Sequence, residues 1–270
     1  MKANYHTHTV WCDGRNTVEE VILSAIAKGF GVIGFSSHST YPHDNVCTVP
    51  PAKLPEYFLE VRSMAAKYSG RIKVLCGVEA DYIPGTTDPD RSRYAVFSPD
   101  YIIGSIHYVI APDGGRVPVD HSPELLSKGI SDHFNGDVQS FVRAYFSQER
   151  DMAGRFYFDI VGHPDLCRKF NLKHPYFDEN AQWYLEELKL TAQAIAQSGK
   201  LVEVNTGAIS RGWMDDAYPS ATFRALLRDR GCRFILNSDS HSADTLDCAF
   251  DRFAEAEDFV RPQFPRVSTI

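Results

Sequence analysis

Nowhere in these 270 residues does an apolar run approach the roughly 20 residues that a membrane-crossing helix needs. Positive charge is also short: 28 Lys plus Arg against 35 Asp plus Glu leave a formal charge of -7. That balance would repel a polyanion unless cations were concentrated locally, so nucleic acid is not an expected partner. Met1-Lys2-Ala3-Asn4-Tyr5 runs straight into the first candidate ligands, leaving no room for a signal peptide, and the expectation is a cytoplasmic protein without membrane attachment. The six cysteines (Cys12, Cys47, Cys76, Cys167, Cys232, Cys248) never form a C-x-x-C pair. In a chain large enough to fold without staples they read as reduced core residues rather than a disulfide framework. Internal repeats and low-complexity tracts are absent too, and residues 1–270 read as one domain.

What is present is alternation. Short β-rich runs at 4–8, 32–36, 73–79, 101–107, 158–162, 201–205 and 234–238 are separated by helical patterns near 17–28, 53–69, 137–154, 179–198, 219–230 and 243–257. Thr17 with Glu20 reads as a capping box. Ala181, Tyr184, Leu185, Leu188, Ala192 and Ile195 recur three or four apart and mark one buried stripe. Strand alternating with helix implies a parallel sheet, and polar residues at the ends of seven strands favour a barrel over an open sheet. Segments 40–55, 82–93 and 111–136 read as long loops over the barrel mouth.

The polar strand ends are His6-x-His8, His38, Glu79, His107, His163 and Asp239-x-His241. His6 and His8 alternate with Thr7, so both imidazoles leave one face of a strand and can share a cation. Asp239 and His241 repeat that spacing. Glu79 closes the apolar run Val74 to Val78, where an unpaired carboxylate would be costly, and either a cation or an arginine of a neighbouring strand would resolve it. His107 and His163 each follow an apolar strand; alone, either reads equally well as a hydrogen-bonded core histidine. Together the set exceeds what one tetrahedral ion needs, which argues for two or three divalent metals, with Zn, Mn or Fe all compatible with N and O donors. Such a cluster suits phosphoester hydrolysis.

These residues, with Cys12-Asp13-Gly14, Glu79-Ala80-Asp81-Tyr82, Gly104-Ser105-Ile106-His107-Tyr108, Asp120-His121, Gly162-His163-Pro164-Asp165-Leu166 and Glu203-Val204-Asn205-Thr206, resemble the polymerase and histidinol phosphatase (PHP) superfamily, and within it the histidinol-phosphate phosphatase branch. The resemblance runs from His6 to His241 and implies an α/β fold, a distorted TIM-like (β/α)7 barrel, with a trinuclear metal centre. It assigns His6, His8, Glu79 and Asp239 to a first metal, Glu79 with His107 and His163 to a second, and His38 and His241 to a third. The loop after the first strand often supplies another histidine to the third metal. Here Asp13 stands in its place, either as a ligand or as an ordinary turn or cap carboxylate. The strand before His38 ends in Ser36-Ser37, where relatives often carry an acid.

The implied reaction is hydrolysis of L-histidinol phosphate by metal-activated hydroxide, in histidine biosynthesis. Arg211, after the sixth strand, is expected to bind phosphate through its planar fork; Arg168 and Lys169 are further candidates, or solvated surface. His43, Asp81, Tyr108, His121 and Asp165 are candidates for the imidazole and ammonium of the substrate. The alternatives are a PHP phosphoesterase for another small phosphomonoester, such as a nucleotide or sugar phosphate, and a non-catalytic metal-binding scaffold.

Overall fold

The computed structural model describes residues 2–41, 46–254 and 259–264. Its strands are β1 (Lys2–Asn4), β2 (Phe30–Phe35), β3 (Lys73–Cys76), β4 (Val78–Asp81), β5 (Ile102–Ser105), β6 (Tyr108–Ile110), β7 (Arg116–Pro118), β8 (Ile160–Val161), β9 (Leu201–Asn205) and β10 (Arg233–Asn237). β1, β2 and β3 are parallel neighbours; β4, β5, β8, β9 and β10 form a second parallel run, and β6 and β7 pair as an antiparallel hairpin. β3 and β4 are one strand broken at Gly77. The Gly77 N–H donates to the Phe35 carbonyl at 2.8 Å, carrying the pairing from β3 to β4. On the other side the His8 N–H donates to the Ser240 carbonyl at 2.9 Å, and Thr7 bridges Ser240 in parallel register. The ring is thereby closed as a distorted seven-stranded barrel.

The distortion has a local cause. Tyr101 fills the barrel's lower interior with Tyr5, Leu75, Ile103, Ile160, Leu201 and Ile235, and its hydroxyl donates to the Tyr5 and Phe35 carbonyls. A Cβ at Gly77 would lie 2.7 Å from the Tyr101 ring, so the strand can pass this aromatic only as glycine.

The helices are α1 (Val18–Ala27), α2 (Leu54–Tyr68), α3 (Pro123–Phe134), α4 (Val138–Arg155), α5 (Gln182–Ser198), α6 (Gly207–Ser210), α7 (Ala221–Arg228) and α8 (Phe250–Ala254). Thr17 and Glu20 form the expected capping box at α1. In α5 the buried stripe is Tyr184, Leu188, Ala192 and Ile195, as its period requires. All six cysteines are free thiols, and among the described residues no helix is long and apolar enough to cross a membrane.

Two expectations are corrected. Segment 111–136 is not a bare loop: it holds β7 and the twelve-residue α3, capped by Ser122, started by Pro123 and ended by Asn135 in left-handed conformation. Leu126, Gly129, Ile130 and Phe134 supply a helical apolar stripe that Gly and Asp residues nearby obscure in the sequence. Segment 243–257 is not one helix either, because a short 3-10 turn at Ala243–Thr245 precedes α8, with Ala249 at φ 58° between them.

Candidate metal centre

β1, β2, β4, β5, β8 and β10 deliver polar residues to the barrel's C-terminal mouth, all but Glu79 from main chain just beyond the strand's end. His6 and His8 follow β1, His38 follows β2, Glu79 lies within β4, and His107 follows β5. His163 and Asp239, which follow β8 and β10, both have positive φ, 23° and 48°. Such backbones persist only where surrounding contacts over-determine them. At His163 the N–H donates to Glu203 Oε1 at 2.8 Å, and the carbonyl accepts from the Tyr145 hydroxyl at 3.3 Å.

Glu79 is the hub. It is 1% exposed, and no arginine among the described residues pairs with it; its side-chain partners are imidazoles and a hydroxyl. Oε2 lies 3.0 Å from His6 Nε2, 3.4 Å from His8 Nε2 and 3.1 Å from His38 Nδ1. Oε1 lies 2.9 Å from His163 Nε2 and 3.6 Å from His107 Nε2, and accepts from Ser105 Oγ at 2.7 Å. Asp239 Oδ1 completes the near side, 3.7 Å from His6 Nε2 and 3.3 Å from His8 Nε2. Asp13 is drawn into the same region: its Oδ2 is 3.2 Å from His241 Nε2 and 3.8 Å from His38 Nε2, and its Oδ1 is 3.7 Å from His8 Nδ1.

Whether ions fit can be tested on these separations. Donors bonded at about 2.1 Å to a tetrahedral ion lie roughly 3.4 Å apart. The four distances linking His6 and His8 to Glu79 and Asp239 run from 3.0 to 3.7 Å. His8 Nε2 is sealed from solvent with no hydrogen-bond partner. Burial, reinforced by the neighbouring His241 and His38, pulls His8 down to about 3, so it stays neutral. A cation between its lone pair and the two carboxylates resolves that arrangement. Further donor groups of the right compactness are His38, Glu79 and His107, and His8, Asp13, His38 and His241.

The electrostatics show the same unbalanced charge. Burial disfavours the imidazolium of His6, yet Glu203, Glu79 and Asp239 outweigh it and hold His6 well above the usual imidazole range. His107 rises against burial to about 10 because Asp81 and Glu79 face it. Glu79 is driven well below the carboxylate range, against burial, by His6, His38 and His107. Without ions, protons supply the positive charge that this donor set demands.

Two of the imidazoles that face Glu79 have their other nitrogen held by a carboxylate, whereas His163 Nδ1 is buried without a hydrogen-bond partner. His6 Nδ1 donates to Glu203 Oε2 at 2.9 Å, and His107 Nδ1 to Asp81 Oδ1 at 2.6 Å. Glu203 also accepts from Asn205 and Asn237, each at 2.8 Å. This is the carboxylate support that orients metal-binding histidines. The sequence motif Glu203-Val204-Asn205-Thr206 names this residue without giving it a role, although it interrupts the apolar run Leu201 to Val204 as Glu79 interrupts its own.

Above the donors opens a cavity of about 800 Å³. Asp81, Tyr108, His121, Lys169 and Arg211 line it, together with Asp13, His38, His107, His163, Asp239 and His241. Arg211 is tied down: Nη2 donates to Asp239 Oδ2 at 2.9 Å and Nη1 to the Asp239 carbonyl at 3.1 Å. Lys169 donates to the Asp120 carbonyl and Oδ2 at 2.8 and 3.0 Å. Two candidates do not reach the cavity. Arg168 is buried behind it, donating to Glu179 at 2.8 Å and to the Ala217 carbonyl at 3.3 Å. Asp165 is fully buried, accepts from the Ser220 N–H at 2.7 Å and is pushed up by burial to about 6. Apolar and aromatic residues around the 163–169 segment turn both inward, which a loop position in sequence does not reveal. His43 lies outside the described residues.

The PHP domain family model matches residues 4–207. The "Probable histidinol-phosphatase" of Schizosaccharomyces pombe is 29% identical over 258 residues, 89% of this chain and 81% of that protein. A solved protein from Listeria monocytogenes superposes with a TM-score of 0.83 at 22% identity, covering 93% of this chain and 100% of that one. The histidinol phosphate phosphatase of Lactococcus lactis, solved with Zn, L-histidinol and phosphate, superposes with a TM-score of 0.66 at 20% identity, covering 96% and 94%.

Proposed function

From the premise that the chain belongs to the PHP domain family, we propose that it is a metal-dependent histidinol-phosphatase, releasing phosphate and L-histidinol. The observation that carries this reading is the convergence of imidazoles and carboxylates on Glu79 at the floor of a cavity walled by Arg211 and Lys169. The naming of the Schizosaccharomyces pombe relative supports the substrate, as do the ligands solved with the Lactococcus lactis protein. The enzyme would act in the cytoplasm in histidine biosynthesis.

His6, His8, Glu79 and Asp239 would hold one ion, Glu79 with His107 and His163 a second, and Asp13, His38 and His241 a third. When bound, such ions acidify water and withdraw charge from phosphoryl oxygens. The chain's own residues do the rest. Glu203 and Asp81 fix the tautomers of His6 and His107, so Nε2 of each faces the centre. Arg211, braced on Asp239, keeps its remaining donors for a phosphate at the rim. Lys169 adds a second cation to the wall. Tyr108 and His121, edge to face with centroids 5.7 Å apart, line the space beyond the phosphate and would hold the organic end of the substrate.

The test is steady-state kinetics on L-histidinol phosphate beside a panel of nucleotide and sugar phosphates, with metal analysis of the same preparation. A preference for histidinol phosphate, lost with the metals in His8→Ala or Glu79→Ala, is expected. Equal turnover across the panel would replace this substrate by small phosphomonoesters in general, and full activity in a metal-free His8→Ala protein would end the metal mechanism.

A further inference from the structure

The cavity contains another cation, placed differently from the rest. Arg15 lines it beside Asp13, His241 and Ser242. Its backbone is fixed: the N–H donates to the His241 carbonyl at 2.9 Å, and the Val10 N–H donates to the Asn16 carbonyl at 3.0 Å, closing the turn around it. Gly14 makes that turn possible, because a Cβ there would lie 2.4 Å from the Thr9 nitrogen. The side chain is the opposite case. It is exposed, and no hydrogen-bond or ion-pair partner of its guanidinium exists among the described residues.

The contrast with the neighbouring cations is what matters. Arg211 is neutralised by Asp239, and Lys169 by Asp120. Neither brings uncompensated charge to an incoming dianion, and both are anchored to carbonyl oxygens as well. Arg15 has a whole guanidinium fork available, on a rigid base at the cavity rim, in a chain whose formal charge is -7. An arginine fork matches two phosphate oxygens, and an unpaired cation at the mouth of an acidic protein attracts anions that the rest of the surface repels.

We propose that Arg15 is a second phosphate-binding arginine of this cavity, meeting the phosphoryl group of the substrate and of the released phosphate from the rim, beside the donors that Arg211 keeps free while it braces Asp239. This rests on the phosphomonoesterase reading, and it makes Arg15 a binding residue in its own right rather than part of the donor set.

The measurement is calorimetric binding of inorganic phosphate to the metal-loaded full-length protein, for wild type, Arg15→Gln and Arg15→Lys, followed by KM and kcat on histidinol phosphate. Arg15→Gln is expected to weaken phosphate binding and raise KM about tenfold, the worth of a charge-assisted hydrogen-bonded contact. In this variant kcat should fall less than KM rises, metal content should be retained, and the salt dependence of phosphate binding should become shallower. Arg15→Lys should recover part of the loss. Unchanged phosphate affinity and KM in Arg15→Gln would overturn the proposal, as would loss of bound metal, which would make Arg15 a structural part of the Asp13 turn. Because phosphate binding needs no turnover, a wild type that binds phosphate but hydrolyses no phosphomonoester defeats the phosphatase reading while leaving the Arg15 comparison decisive.

Discussion

Glu203 holds His6 from behind: its Oε2 accepts the Nδ1 proton at 2.9 Å, with both side chains sealed from solvent. The same carboxylate receives the His163 N–H at 2.8 Å, so one residue on β9 orients candidate ligands from two other strands. Glu203→Gln replaces an anion by a neutral amide whose NH2 confronts the donors of Asn205 or Asn237. Metal affinity is expected to fall about 10- to 100-fold, as when the supporting carboxylate of a ligand histidine is lost. Titration against a metallochromic chelator measures this, with far-ultraviolet circular dichroism to confirm the fold. Wild-type affinity would show that His6 is positioned by packing alone.

Asp13 would serve the proposed third ion and not the two at Glu79. Its carboxylate faces His241, His38 and His8 but not Glu79. Asp13→Ala should therefore lose the third ion and retain those at Glu79, whereas Glu79→Ala should empty the whole centre. Elemental analysis after dialysis against limiting metal reads the difference. If Asp13→Ala keeps the full complement, Asp13 is a turn carboxylate and no ligand.

Gly207 allows Arg211 and Asp239 to meet. A Cβ at this position would lie 2.6 Å from Arg211 Nη2 and 2.8 Å from Asp239 Oδ2, so Gly207→Ala must part the pair that is 2.9 Å apart. Both obstructing atoms are side-chain ends rather than main chain, and the fold should survive with thermal stability close to wild type. The expected change is in kinetics, with kcat/KM reduced at least about tenfold through lost placement of Asp239 and Arg211. An unaffected kcat/KM would mean that the pair can separate without consequence.

The barrel and its donor set were legible because each rests on a strong local signal. Seven short apolar runs each lead to a polar residue, and a buried acid such as Glu79 announces itself by interrupting Val78 and Ala80. Glu203 carries the same signal between Val202 and Val204, and the motif that names it assigns it no role because that role is relational: it serves His6, nearly two hundred positions away. Arg168 and Lys169 show the limit from the other direction. They are adjacent in sequence, yet one pairs with Glu179 in the wall and the other faces the cavity, a choice made by the 3-10 turn Leu166–Arg168. Helix α3 was hidden by turn-forming residues on both flanks, although Ser122-Pro123 is itself a helix start.

Glu149 on α4 gives a prediction independent of metal. It is wholly buried, and neither carboxyl oxygen has a hydrogen-bond partner. Burial first, and the charge of Asp165 second, hold its pKa well above the usual carboxylate range, so the folded protein keeps it protonated. In the unfolded chain the same carboxyl ionises at about pH 4.3. Between that pH and the raised folded value the native state binds the extra proton, and stability falls as pH rises. Glu149→Gln cannot lose a proton and is spared that fall. The difference in melting temperature, variant minus wild type, should therefore increase steadily as pH rises above the ordinary carboxylate range. Both proteins are to be stripped of metal by the same chelator treatment, so that ligand titration cancels. A difference that stays constant with pH would mean that Glu149 ionises alike in both states, which requires a cationic or hydrogen-bonding partner at its two oxygens.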